Sequence, residues 1–100
     1  MDNKIDILIV DDRPENLLLL QHILADQGYN IINASSGEEA LALLLDNDIA
    51  LVLLDVQMPG MDGYETAELM RGTAKTQHIP IVFVTAISEE KKHVFKGHIQ

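Results

Sequence analysis

The run IALVLLD, residues 49–55, is six apolar residues ending on an acid. It is short for a helix and apolar on both alternating faces, which suits a strand buried on both sides of a sheet. Two other runs have a similar form. IDILIV at 5–10 leads into Asp11 and Asp12, and IVFV at 81–84 leads into Thr85. Stretches of helical pattern separate these runs, so they read as parallel strands. Parallel strands bring their carboxyl ends to one edge of the sheet, and in open α/β sheets that edge binds ligands where the strand order reverses. Three carboxylates and a hydroxyl distant in sequence are therefore expected to meet in one crevice.

The intervening segments fit this order. RPENLLLLQHILADQGY, residues 13–29, reads as a helix with Pro14 in its first turn and Gly28 as its stop. A short strand is expected from Asn30 to Ala34. Ser36 and Glu39 fit a capping box for a second helix bearing Leu41, Leu44 and Leu45. Pro59, Gly60 and Gly63 punctuate a loop before a third helix from about Tyr64 to Arg71. Residues 72–80 form a polar connector, and Ser88 reads as the cap of a fourth helix. The order β-α-β-α-β-α-β-α implies a mostly parallel sheet in one domain, residues 1–100. Leu17 to Leu20 are consecutive and cover more than one helical face, which suggests that the first helix touches something besides the sheet.

Composition narrows the function. Sixteen acidic residues against seven basic ones give a net charge of −9, which disfavours direct nucleic-acid binding and favours cations and basic partner surfaces. The chain has no cysteine, so thiolate metal sites and disulfides are excluded. No apolar stretch is long enough to span a bilayer, and the start lacks a signal-peptide pattern, so no membrane contact and a cytoplasmic location are expected.

Two carboxylates about 4 Å apart repel by roughly 4 kcal/mol at an effective dielectric near 20. A divalent cation removes that conflict, and oxygen ligands without His or Cys favour Mg²⁺, with Mn²⁺ as a substitute. A carboxylate beside such a cation could attack phosphorus to give an aspartyl phosphate. The plainer alternative is that Asp11 and Asp12 cap the first helix while Asp55 begins a turn; convergence on one sheet edge favours the site. Thr85 could donate its hydroxyl to a phosphoryl oxygen, with small Ala86 leaving room, although a lone strand Thr is usually structural. His22, His78, His93 and His98 lack ligand spacing and suit surface roles. Met58 and Met61 suit loop packing, and the run Glu89 to Lys92 suits a solvated helix face.

LIVDD at 8–12, LVLLDVQMPGMDG at 51–63 and IVFVTA at 81–86 resemble the signature segments of the receiver domain of two-component response regulators. The resemblance covers essentially the whole chain. It implies a flavodoxin-like, doubly wound parallel sheet, and a phosphorelay role in which Asp55 accepts phosphate from the phosphohistidine of a sensor kinase or phosphotransfer protein. It further implies Mg²⁺ bound by Asp12, Asp55 and the backbone carbonyl of Gln57, with Asp11 acting through water, and Thr85 and Ala86 at the phosphoryl group. Receivers use strand order 2-1-3-4-5, with a Lys followed by Pro at the end of the fifth strand. The sequence stops at GHIQ, so a truncated receiver is expected, in order 2-1-3-4 with the fifth strand and fifth helix absent. The strand-four edge and the Leu17 to Leu20 face are then open, and a homodimer or larger assembly is expected to cover them.

The leading reading is a phosphorylatable regulatory domain that assists its own phosphotransfer and dephosphorylation and switches an output domain the sequence does not identify. A second is an Mg²⁺-dependent phosphatase of the haloacid dehalogenase type, which wants an acid two residues after its nucleophile, where Gln57 stands. A third is a docking module without phosphorylation.

Overall fold

The computed structural model describes residues 4–84 and, as backbone, residues 97–99. Its elements are β1 (Asp6–Val10), α1 (Pro14–Ala25), β2 (Asn30–Ala34), α2 (Gly37–Asp46), β3 (Leu51–Asp55), α3 (Gly63–Arg71), β4 (Ile81–Val84) and β5 (Gly97–Ile99). The sheet order is β2-β1-β3-β4-β5. β1, β2, β3 and β4 pair in parallel, so the expected order 2-1-3-4 holds. The order reverses at β1 and β3, where Val10 pairs with Leu54, immediately before Asp11 and Asp55.

Alternation along the strands separates two faces. Leu8, Val10, Val52, Leu54, Ile81 and Phe83 join Ala40 and Leu44 of α2 and Ala67 and Met70 of α3 in one buried cluster. The opposite face carries Ile7 and Ile9, which are buried, and Leu51, Leu53 and Val82, which are only half-buried. α1 contacts β1 and β2 yet contains no buried residue. Leu18, Leu19 and Ile23 are 66%, 49% and 52% exposed, as the unbroken leucine run leads one to expect.

Two expectations need correction. The β4 edge is not open: Val82, Phe83 and Val84 pair antiparallel with Ile99, His98 and Gly97. An unpaired edge offers a row of N–H and C=O groups, and a chain returning past it can pair antiparallel without a crossover to the far end of the sheet. The Ser36 capping box is also incomplete. Ser36 Oγ accepts from the Glu39 N–H at 3.0 Å, but Glu39 Oε1 accepts from Ser35 N–H at 2.8 Å and Ser35 Oγ at 3.0 Å instead of closing on Ser36. The complete box lies at α3, which starts at Gly63: Asp62 Oδ1 accepts from Glu65 N–H at 2.8 Å and Glu65 Oε1 accepts from Asp62 N–H at 2.9 Å. The fourth helix expected from Ser88 and the run Glu89 to Lys92 lie outside the described residues.

The connector after α3 is polar in sequence but held by directed bonds. Arg71 donates to the carbonyls of Gln77 and Ile79, both at 2.9 Å. The buried Thr76 hydroxyl donates to the Met70 carbonyl at 2.7 Å. These bonds carry the chain from α3 back to the start of β4.

Candidate functional site

β1 and β3 end side by side, and the residues that follow their paired ends form an acidic cluster. Asp11, Asp12 and Asp55 each offer a carboxylate oxygen, and these oxygens lie within 4.8 Å of one another. Asp11 is 3% and Asp55 2% exposed, and Asp12 is half-buried. The helix-capping alternative fails for the pair that follows β1. The N-cap of α1 is Arg13, and no side chain caps that helix.

Asp11 is held in place by its neighbours. Its Oδ1 accepts from the Arg13 N–H at 2.9 Å and its Oδ2 from the Asn16 side-chain amide at 3.1 Å. Burial pushes its carboxyl above the usual Asp range, and the bonds from Arg13 and Asn16 act in the opposite direction. Asn16 carries no signal in the sequence, because a five-residue offset that joins a strand end to a helix turn matches no local hydrogen-bonding pattern. The Arg13 guanidinium lies 3.9 Å from Glu15 in an exposed ion pair.

Asp55 has a different environment. Its pKa is pushed up to about 7, first by burial and then by the Asp11 charge, with the backbone N–H groups of Gln57 and Val56 opposing the rise. Its Oδ1 is buried and has no hydrogen-bond partner among the described residues. An unpartnered buried carboxylate oxygen, facing two more carboxylates, fits a hard divalent cation: the donors are all oxygen and their mutual repulsion is what such an ion relieves. The Gln57 side chain is exposed, while its N–H faces Asp55. Val84 pairs with Asp55 across the sheet. Thr85 and Ala86, the residues that follow, lie outside the described residues.

Residues 7–97 match the response regulator receiver domain, and the chain belongs to that family. A probable cyclic di-GMP phosphodiesterase of Vibrio cholerae is 46% identical over 82 residues, covering 82% of this chain and 18% of that protein. The sensor histidine kinase GacS of Pseudomonas protegens is 41% identical over 96 residues, covering 91% of this chain and 10% of that protein. The crystal structure of response regulator TrrA from Thermotoga maritima, in complex with Mg²⁺ and BeF, superposes with a TM-score of 0.76 at 38% identity, covering 90% of this chain and 76% of that one. The chain thus spans less than a fifth of these curated relatives, whose names describe much longer proteins. Family and fold together place it in phosphorelay signal transduction as a regulatory domain and do not favour the haloacid dehalogenase alternative.

Proposed function

We propose that Asp55 is the phosphoacceptor of this receiver. The observation that carries the reading is its buried, unpartnered Oδ1 at the carboxyl end of β3, within a cluster of three carboxylates. A carboxylate oxygen of Asp55 attacks phosphorus on a phosphohistidine donor. The new O–P bond forms as the N–P bond breaks, and the electron pair returns to the donor imidazole nitrogen. Asp12, Asp55 and the Gln57 backbone carbonyl are the direct Mg²⁺ ligands in this reading, with Asp11 acting through water. Bound there, Mg²⁺ or Mn²⁺ in its place supplies positive charge that offsets repulsion between the acidic cluster and the phosphoryl oxygens.

Asp11, tied to Arg13 and Asn16, holds its charge at a fixed distance from the acceptor. Thr85 binds the phosphoryl group and carries the switch, and Ala86 leaves access to it. The partners are a sensor histidine kinase or phosphotransfer protein and an output domain. No helix among the described residues is long and apolar enough to cross a membrane, and a cytoplasmic location completes the reading. Residues 1–100 belong to one receiver domain, which assists its own phosphotransfer and dephosphorylation.

Incubation with a small phosphodonor and Mg²⁺, followed by intact mass, tests this. The expected adduct is a single phosphoryl group, stable to acid, labile to alkali and hydroxylamine, and missing from Asp55→Asn. Phosphate recovered on Ser, Thr or His would overturn the assignment.

A further inference from the structure

Two glycines sit where the chain leaves no room for a side chain, and both bear on the turn between β3 and α3. A Cβ at Gly63 would collide with the backbone oxygen of Asp55 and lie 2.9 Å from the Val56 Cα. The Gly63 N–H donates to the Val56 carbonyl at 2.9 Å and closes the turn over residues 56–63. The N–H groups of Val56 and Gln57 in that turn face the Asp55 carboxyl. The first turn of α3 therefore rests directly on the backbone that orients Asp55.

Gly37, the first residue of α2, supports the same turn from the other side. A Cβ there would collide with the Thr66 hydroxyl and lie 3.0 Å from the Met61 sulfur. Thr66 is fully buried, and its hydroxyl donates to the Asp62 carbonyl at 2.9 Å. Neither glycine adopts a left-handed backbone; among the described glycines only Gly28 and Gly60 do, at φ +89° and +73°. Space, not backbone conformation, is thus what requires glycine at 37 and 63.

We propose that Gly63 and Gly37 are positioning residues for the acidic cluster, setting where the 56–62 turn holds the Asp55 carboxylate and the Gln57 backbone relative to Asp12. The proposal rests on reading that cluster as an Mg²⁺ site. A side chain at 63 has to push against backbone of β3, which cannot yield without moving Asp55. One at 37 pushes against side chains instead: the flexible end of Met61, which yields more readily than backbone, and the short, buried hydroxyl of Thr66. Gly28 provides the contrast: a Cβ there meets nothing within 4 Å, and its cost is left-handed strain alone, in the segment between α1 and β2.

The test is titration with Mg²⁺ alone, followed by backbone amide shifts, on Gly63→Ala, Gly37→Ala and Gly28→Ala, each held well below its own unfolding midpoint. Gly63→Ala is expected to weaken Mg²⁺ binding by at least about tenfold, the scale seen when groups that orient metal ligands are disturbed, and Gly37→Ala by severalfold. Gly28→Ala, although destabilised, is expected to stay within about twofold of the parent chain, because its strain is remote from the ligands. Affinity retained in both Gly63→Ala and Gly37→Ala, or lost equally in all three, overturns the proposal. If Gly63→Ala does not fold, the comparison of Gly37→Ala with Gly28→Ala decides alone. A parent chain that does not bind Mg²⁺ overturns the site reading itself, whereas a parent whose binding is lost in Asp55→Asn but kept in both glycine variants overturns only the positioning role.

Discussion

Asp55 is destabilising when ionised without a counter-ion, because its carboxylate is buried beside another acid. Burial and the Asp11 charge raise its pKa to about 7, so the folded chain holds that proton more tightly than the unfolded chain, where Asp titrates near 4. The sign follows from linkage. The folded state is favoured at low pH, and that advantage is fully present below about 4 and lost as pH rises through about 7. At neutral pH and above, the ionised group costs on the order of 4 kcal/mol without a counter-ion. Asp55→Asn should therefore raise the unfolding midpoint in EDTA by several degrees at about pH 8 and by much less at about pH 4.5. An equal effect at both pH values, by calorimetry, would contradict the buried-carboxylate account. Mg²⁺ has to displace the proton, so its affinity should climb from about pH 5 and level off above about 7. Asn16→Ala should weaken Mg²⁺ binding severalfold by releasing Asp11 from one of its two bonds.

At the scale of elements, the strands were legible because their side-chain pattern is strong. Asn30 to Ala34 and Ile81 to Val84 fall where the sequence places them, and β3 is displaced only at its ends. The convergence of Asp11, Asp12 and Asp55 was legible for the same reason, since parallel strands share an edge. β5 was not, because three residues, Gly97 to Ile99, carry no run, and their pairing answers the backbone demand of the β4 edge. The caps show a subtler failure. Asp62 and Glu65 have the same three-residue spacing as Ser36 and Glu39, but Pro59, Gly60 and Gly63 mask the helix start within a stretch of turn residues. Removing the complete box should matter: Asp62→Ala is expected to cost about 1 kcal/mol, measured by denaturant unfolding. A neutral result would mean that the first turn of α3 is held by its contact with β3 and not by its cap.

Across the whole molecule, the two faces of the sheet are unequally covered. α2 and α3 bury one face thoroughly, so Leu8→Ala or Leu54→Ala should cost about 2–5 kcal/mol. The other face has α1 against it, with Leu51, Leu53 and Val82 half-buried and Leu18, Leu19 and Ile23 in water. A net charge of −9 opposes self-association, but α1 itself carries few charges, so its leucines are the surface on which copies can meet. Because β4 is paired with β5, association is expected through the α1 face and not through the β4 edge. Light scattering over a dilution series should show concentration-dependent assembly that Leu18→Glu with Ile23→Lys suppresses. A chain that stays monomeric at high concentration would contradict this.

The central claim is that three acids from the ends of two strands form one Mg²⁺ site around a reactive carboxylate. Amide-shift titration with Mg²⁺ tests it most directly, on the parent chain, Asp12→Asn and Asp55→Asn at about pH 8, where Asp55 is ionised. The account expects saturable shifts centred on residues 10–13 and 54–58 in the parent chain and a strong loss of affinity in both variants. Unchanged affinity in both would remove the site.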